Sequence, residues 1–143
     1  MTSKQSYCTF HLDDLYFGIA VSQVQEVIRH QQMTRVPLAP PVVRGLMNLR
    51  GQIVTALDLR RRLGLPDASG ERPPMNVVVR TSDGSVSLLV DRIGDVLETD
   101  EADFELPPET LRGVHRELIR GAFKLQGRLL LILDTERVVD QAA

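Results

Sequence analysis

Short runs of alternating apolar and polar residues, rather than long stretches of three-to-four spacing, fill this chain, and such runs predict strands. YCTFHL (7–12) and LYFGIAV (15–21) flank Asp13-Asp14, an acidic pair suited to a tight turn. Val21, Val24 and Val27 then recur at helical spacing behind Ser22 and Gln25, a capping-box pair, which predicts one helical turn. The chain returns to extended character up to Pro37, Pro40 and Pro41, an irregular connection, because proline cannot donate to a sheet ladder. Residues 42–49 and 52–57 read as strands around Arg50-Gly51, where glycine supplies the positive φ of a tight turn. Asp58 is placed to cap a short helix, LRRRL, stopped by Gly64 and Pro66. Residues 76–80 and 86–90 form a further hairpin through the Asp-Gly of SDGS.

Two of these elements are written twice. GLMNLRGQIVTALD (45–58) and GAFKLQGRLLLILD (121–134) share Gly, Leu, Gly and Asp at equal spacing, an offset of 76. Val21, Val24, Val27 and Ile28 fall on Val90, Ile93, Val96 and Leu97 at an offset of 69. The second copy therefore carries a longer middle loop, within 99–120. The Pro- and Gly-rich GLPDASGERPPM (64–75) separates the copies, giving expected subdomains 1–66 and 74–143 with a linker at 67–73. Two repeats are too few for a solenoid, so the expectation is two compact β-barrels packed through an apolar surface, forming one domain over 1–143. On this reading Leu49 and Leu125, Ile53 and Leu129, and Leu57 and Leu133 are packing residues.

Composition narrows the classes. A chain of 143 residues hides roughly 68–70% of its unfolded surface on folding, enough for a core without staples. A charge of -2 predicts no general attraction to nucleic acid or anionic lipid. The single cysteine, Cys8, has no partner in the chain and reads as a strand residue of a reducing compartment. The N-terminal residues lack a secretory apolar run, and the longest apolar stretch, LLLIL, is far too short to cross a bilayer. These features point to a cytoplasmic protein without direct membrane insertion.

No set of residues announces catalysis, a metal or a cofactor. His11, His30 and His115 lie far apart without ligand spacing, and neither a nucleophile elbow nor a phosphate loop occurs. Asp58 and Asp134 are weighed as an acid/base pair against helix caps, and their places after apolar runs favour caps. Arg60-Arg61-Arg62 lacks the aromatic residues that a single-strand nucleic-acid groove needs. Asn48 and Arg50 stand apart, because the second copy has Lys124 and Gln126 instead. Either Arg50 pairs with a carboxylate such as Glu26 and fastens the turn, or the pair lies at a partner groove, where arginine is often a hot spot.

VQEVIRH, followed by TRVPLAPPVVRGLMNLRGQIVTALDLRRRLGL with its NLRG, apolar strand and DLR, resembles the CheW family of bacterial chemotaxis coupling proteins. The resemblance runs from YCTF through DRIGDVLE to LLLILDTERVV. It implies a mainly β fold of two SH3-like five-stranded barrels around a shared core, with short helices. It also implies a non-catalytic adaptor, recruited to membrane-associated receptor arrays, between chemoreceptor cytoplasmic tips and the regulatory domain of the histidine kinase CheA. Carried over by residue, the receptor-facing groove includes Glu26, Val27, Asn48, Leu49 and Arg50, with Ile93 and Val96 on its other wall. Val21 and Ile53 would face the kinase, and Gly45 and Gly51 would support the turn. The chain departs from the family pattern at Asp91-Arg92, Pro40-Pro41 and Met47. A non-flagellar chemosensory coupler, an SH3-like small-ligand or nucleic-acid-binding module and an uncatalogued enzyme are the rival readings.

Overall fold

A computed structural model of the chain describes residues 3–29, 31–68, 72–82, 84–109, 111 and 114–140. The strands are β1 (Lys4–Leu12), β2 (Leu15–Ala20), β3 (Val24–Ile28), β4 (Val43–Leu49), β5 (Gln52–Asp58), β6 (Met75–Thr81), β7 (Gly84–Val90), β8 (Arg92–Asp100), β9 (Ile119–Leu125) and β10 (Arg128–Leu133). Two short helices, α1 (Leu59–Leu63) and α2 (Thr135–Val139), follow β5 and β10. Each starts as the sequence predicts: Asp58 accepts the Arg61 N–H, Asp134 accepts the Arg137 N–H, and Gly64 ends α1 at φ 82°.

The LLLIL run of β10 shows how the strands specify two layers of core. Leu131 and Leu133 point into the central core with Phe10, Phe17, Leu57 and Leu88, while Leu130 and Ile132 point the other way, against Tyr7, Tyr16 and Phe123. Side chains alternate between faces, so a strand buried on both sides reads as an unbroken apolar run. β6 does the same: Val77 and Val79 join the central core, and Val78 meets Met47, Leu49 and Val54 in a third cluster. Truncating one of the fully buried leucines to alanine costs about 2–5 kcal/mol. Ile53 is a correction to the packing expectation, being 65% exposed, whereas Leu57 and Leu133 are buried and Leu125 and Leu129 half-buried.

The mainly β, two-barrel expectation holds, with five-stranded sheets in the orders β8-β1-β2-β10-β9 and β3-β6-β7-β5-β4. These sheets do not follow the expected division into 1–66 and 74–143. Each takes a hairpin from one half of the chain and three strands from the other. The repeat is nevertheless real in the register: Tyr7 pairs with Leu97 as Asn76 pairs with Ile28, and Phe17 pairs with Leu131 as Val86 pairs with Thr55. Even the bulges match, between Cys8 and Phe10 against β8 and between Val24 and Glu26 against β6.

The predicted helical turn over Val21, Val24 and Val27 shrinks to a 3-10 turn, Val21–Gln23, with no side-chain cap from Ser22. Val24 and Val27 instead pair with Val79 and Val77, where β-branched side chains pack better than on a helix. The repeated Gly45 and Gly121 have one physical cause. Beside each, a loop segment bridges onto the strand, Thr34 to Leu46 and Glu105 to Ala122. A Cβ on Gly45 would lie 2.7 Å from the Thr34 carbonyl oxygen, and one on Gly121 2.5 Å from that of Glu105. Residues 69–71 of the expected linker, Asp83 of the predicted hairpin turn and His30 lie outside the described residues.

Candidate docking surface

Leu49 pairs with Gln52, leaving Arg50 and Gly51 as a two-residue loop with φ 53° and 89°. Two successive positive φ values make a type I′ turn, whose twist suits a hairpin but which costs a non-glycine residue such as Arg50 roughly 1–2 kcal/mol. Asn48 offsets part of that cost. Its Oδ1 accepts the otherwise unclaimed Gly51 N–H at 2.8 Å. The Arg50 guanidinium pairs with Glu26 on β3, and β3 and β4 are the two edge strands of their sheet. The ion pair therefore spans the seam of the barrel. With the Arg50 side chain 68% exposed, such a pair contributes at most about 1 kcal/mol. Both sequence alternatives for Arg50 thus meet in one geometry: it fastens the seam and still presents most of its surface to solvent.

Around this corner the apolar residues behave unusually. Among the described residues the exposed large hydrophobics are Val21, Val27, Val36, Leu38, Ile53, Val96 and Leu106. Val21, Val27, Ile53 and Val96 carried docking roles in the sequence reading. Ile53 pairs directly with Asn48 across the hairpin, and Val27 neighbours Glu26. The strand register sets Val21, just ahead of β3, and Ile53 of β5 at the same end of their sheet, with β6 and β7 between them. Leu49 is 8% exposed and anchors the turn from below, in the cluster with Met47. Ile93 and Val96 lie on β8 of the other sheet, with Ile93 packed against the central core and Val96 63% exposed. The structure thus gathers Glu26, Asn48, Leu49, Arg50 and Ile53, sets Val27 next to Glu26 along β3, and leaves Ile93 and Val96 on a separate edge strand.

Val36, Leu38 and Leu106 went unremarked in the sequence. Leu38 stands wholly in solvent at φ 65°, between Pro37 and Pro40. Its only mark in the sequence is its place in PLAPP, a proline-rich connection outside the strand pattern.

The residues with chemical potential are otherwise engaged. Arg60, 7% exposed, donates to Asp91 from Nε at 2.9 Å and to Asp13 from Nη2 at 2.5 Å, and also to the Pro66 carbonyl. Its hydrogen bonds to the Asp91 and Asp13 carboxylates hold the guanidinium more firmly protonated than usual, against the opposing effect of burial. Asp58 and Asp134 are helix caps, and Asp58 also pairs with Arg44 at 3.2 Å. Burial pushes the Cys8 thiol up, away from nucleophilic reactivity. Tyr7 is pushed up to about 12 by burial and by Glu101, to which its hydroxyl donates at 3.3 Å. No group of three or more His, Cys, Asp or Glu able to hold a metal occurs among the described residues, and no helix among them is long and apolar enough to cross a membrane.

Comparison with known proteins identifies the family and the fold. The "Chemotaxis protein CheW" of Bacillus subtilis (strain 168) is 32% identical over 132 residues, covering 92% of this chain and 85% of that protein. That of Treponema pallidum (strain Nichols) is 28% identical over 134 residues, covering 91% and 79%. Among solved structures, the scaffolding protein TtCheW of Thermoanaerobacter tengcongensis superposes with a TM-score of 0.86 at 24% identity, covering 95% of this chain and 88% of that one. The CheW-like domain family matches residues 6–143, which includes both barrels, the crossovers between them and the Arg50 corner, and the chain belongs to that family.

Proposed function

We propose that this chain is a non-catalytic adaptor of bacterial chemosensory signalling, joining chemoreceptor cytoplasmic tips to the regulatory domain of the histidine kinase CheA. The observation that carries the reading is the Asn48-Leu49-Arg50-Gly51 corner: a turn whose arginine side chain is two-thirds exposed and paired to Glu26, with the exposed Ile53 opposite Asn48 across the hairpin and the exposed Val27 next to Glu26 along β3. Exposed apolar residues beside an arginine are the ingredients of a binding hot spot, and none of them is required for the core. The receptor groove comprises Glu26, Val27, Asn48, Leu49 and Arg50, with Ile93 and Val96 as its outlying members, and Val21 and Ile53 meet the kinase. Gly45 and Gly51 keep the corner in shape. The adaptor works in the cytoplasm, at receptor arrays.

Such a protein transmits a change only as far as its contacts differ between the partner's states, a coupling on the order of 1–3 kcal/mol. The test is reconstitution with a receptor-tip fragment and the kinase regulatory domain. Ile53→Asp should weaken kinase binding at least tenfold while receptor binding holds. An unchanged kinase affinity, with the fold intact by circular dichroism, would remove Ile53 from the kinase face.

A further inference from the structure

The strand pairings divide in an unusual way between the two halves of the chain. Four are local hairpins: β1 with β2, β4 with β5, β6 with β7, and β9 with β10. The other four, β1 with β8, β2 with β10, β3 with β6 and β5 with β7, all join the half before the linker to the half after it. The central core is mixed in the same way, with Phe10, Phe17, Leu57 and Leu63 from the first half meeting Val77, Leu88, Leu131 and Val138 from the second. An isolated hairpin is at best marginally stable in water, so neither half has a sheet of its own to fold around.

Recognition between the halves is therefore complete without the linker, and the covalent connection at 67–73 only raises their mutual concentration. We infer that this chain exchanges halves with a second copy of itself: residues 3–66 of one copy build both barrels with residues 74–140 of the other. The exchanged dimer keeps every strand pairing and all three core clusters, and changes only the path of two linkers. Seven residues reach roughly 25 Å when extended, which allows the two rebuilt bodies to lie side by side. Each body presents its own Arg50 corner, so the dimer is a bivalent form of the monomer. A short connection gives an effective concentration in the millimolar range, so the monomer dominates at micromolar protein and exchange grows with concentration during folding.

The test uses two full-length chains, both Cys8→Ser, one carrying Ser6→Cys and the other Glu98→Cys. Ser6 and Glu98 are direct partners across β1 and β8, within disulfide reach. The chains are unfolded together in guanidinium, refolded at micromolar and at near-millimolar concentration, and oxidised. The expected result is a disulfide-linked heterodimer of twice the monomer mass by light scattering, increasing with refolding concentration and absent when the native proteins are mixed without unfolding. Three outcomes would overturn the inference: monomers alone at both concentrations, equal linkage in the native mixture, or equal linkage of Ser6→Cys to Glu117→Cys, a mismatched surface position.

Discussion

The corner Asn48-Leu49-Arg50-Gly51 and its counterpart Lys124-Leu125-Gln126-Gly127 turn the chain between equivalent strands, yet they do so with different chemistry. In the first, Arg50 adopts positive φ and Asn48 claims the free turn N–H. In the second only Gly127 has positive φ, at 80°, and Lys124 reaches instead to Glu105 at 3.7 Å. The crossovers between the sheets differ likewise. At one of them the buried Arg60 is held between the partly exposed carboxylates of Asp13 and Asp91. The residues at the same offsets in the other repeat are Glu136, Ser82 and Ser22, and there Ser82 merely donates to the exposed Glu136. The charge divides too: residues 27–57 hold four arginines and no carboxylate, while 91–109 hold eight carboxylates and one arginine. Positions that match between the repeats, such as Gly45 and Gly121 or Leu57 and Leu133, are required by the barrels themselves. Positions that differ, such as Asn48 and Arg50 against Lys124 and Gln126, are not required by the architecture the barrels share.

Several substitutions break this comparison by making unlike positions alike. Arg60→Met should be the most damaging, at about 2–3 kcal/mol in urea unfolding, because it leaves two carboxylates without their shared partner, one of them, Asp91, only 25% exposed. Glu136→Gln, its counterpart, should stay within about 0.5 kcal/mol. Equal losses would show that the two crossovers are energetically alike. The Arg60 node also carries a pH signature. Burial works to raise the Asp91 carboxyl, but hydrogen bonds from Arg60 and the Asp13 N–H, with the Arg60 charge, hold it below its ordinary value. A carboxylate depressed in the fold gives stability that is present above the ordinary range near 3.8 and is lost as pH falls through its folded value. Arg60→Met should remove that part of the acid transition.

Asn48→Ala should cost about 0.5–1.5 kcal/mol through the lost bond to Gly51, with Asn48→Asp restoring most of it, whereas Lys124→Ala should be nearly silent. A silent Asn48→Ala would mean that its Oδ1 does not support the turn. The smallest effect belongs to His11, whose counterpart in the other barrel is Arg80, bound to the Val24 carbonyl. His11 stacks on Tyr16 between Arg92 and Arg128, and its buried Nδ1 has no hydrogen-bond partner. Burial, then repulsion from Arg92 and Arg128, lower its pKa below the usual 6.5. The neutral ring is the one the fold favours, so its contribution is full above 6.5 and lost as pH falls through the lower folded value. His11→Gln should flatten the fall in stability between about pH 7 and pH 5, and an unchanged slope would exclude the imidazole as its source.

Much of this was legible in the sequence. The caps at Asp58 and Asp134, the Arg50-Gly51 turn and the Glu26 partner of Arg50 all rest on local spacing, which a chain states directly. The exchange of hairpins between halves was not legible, because a repeat gives the strands but not which copy each one pairs with. A pairing within one repeat and a pairing across two satisfy the same apolar pattern. The role of Asn48 was half legible: the divergence at its position drew attention, but its oxygen serves the turn. Leu38 was missed because an apolar residue among prolines reads as loop filler until its exposure is seen.

The most direct measurement compares Arg50→Ala with Gln126→Ala in binding a receptor-tip fragment by titration calorimetry, with thermal unfolding as the control for the fold. Both variants should unfold near the wild-type temperature, because both side chains lie on exposed turns. Arg50→Ala should weaken binding by about 2 kcal/mol, roughly thirtyfold, and Gln126→Ala should leave it unchanged. Equal affinities for the two variants, with both folded, would contradict the assignment of the Arg50 corner as the docking edge.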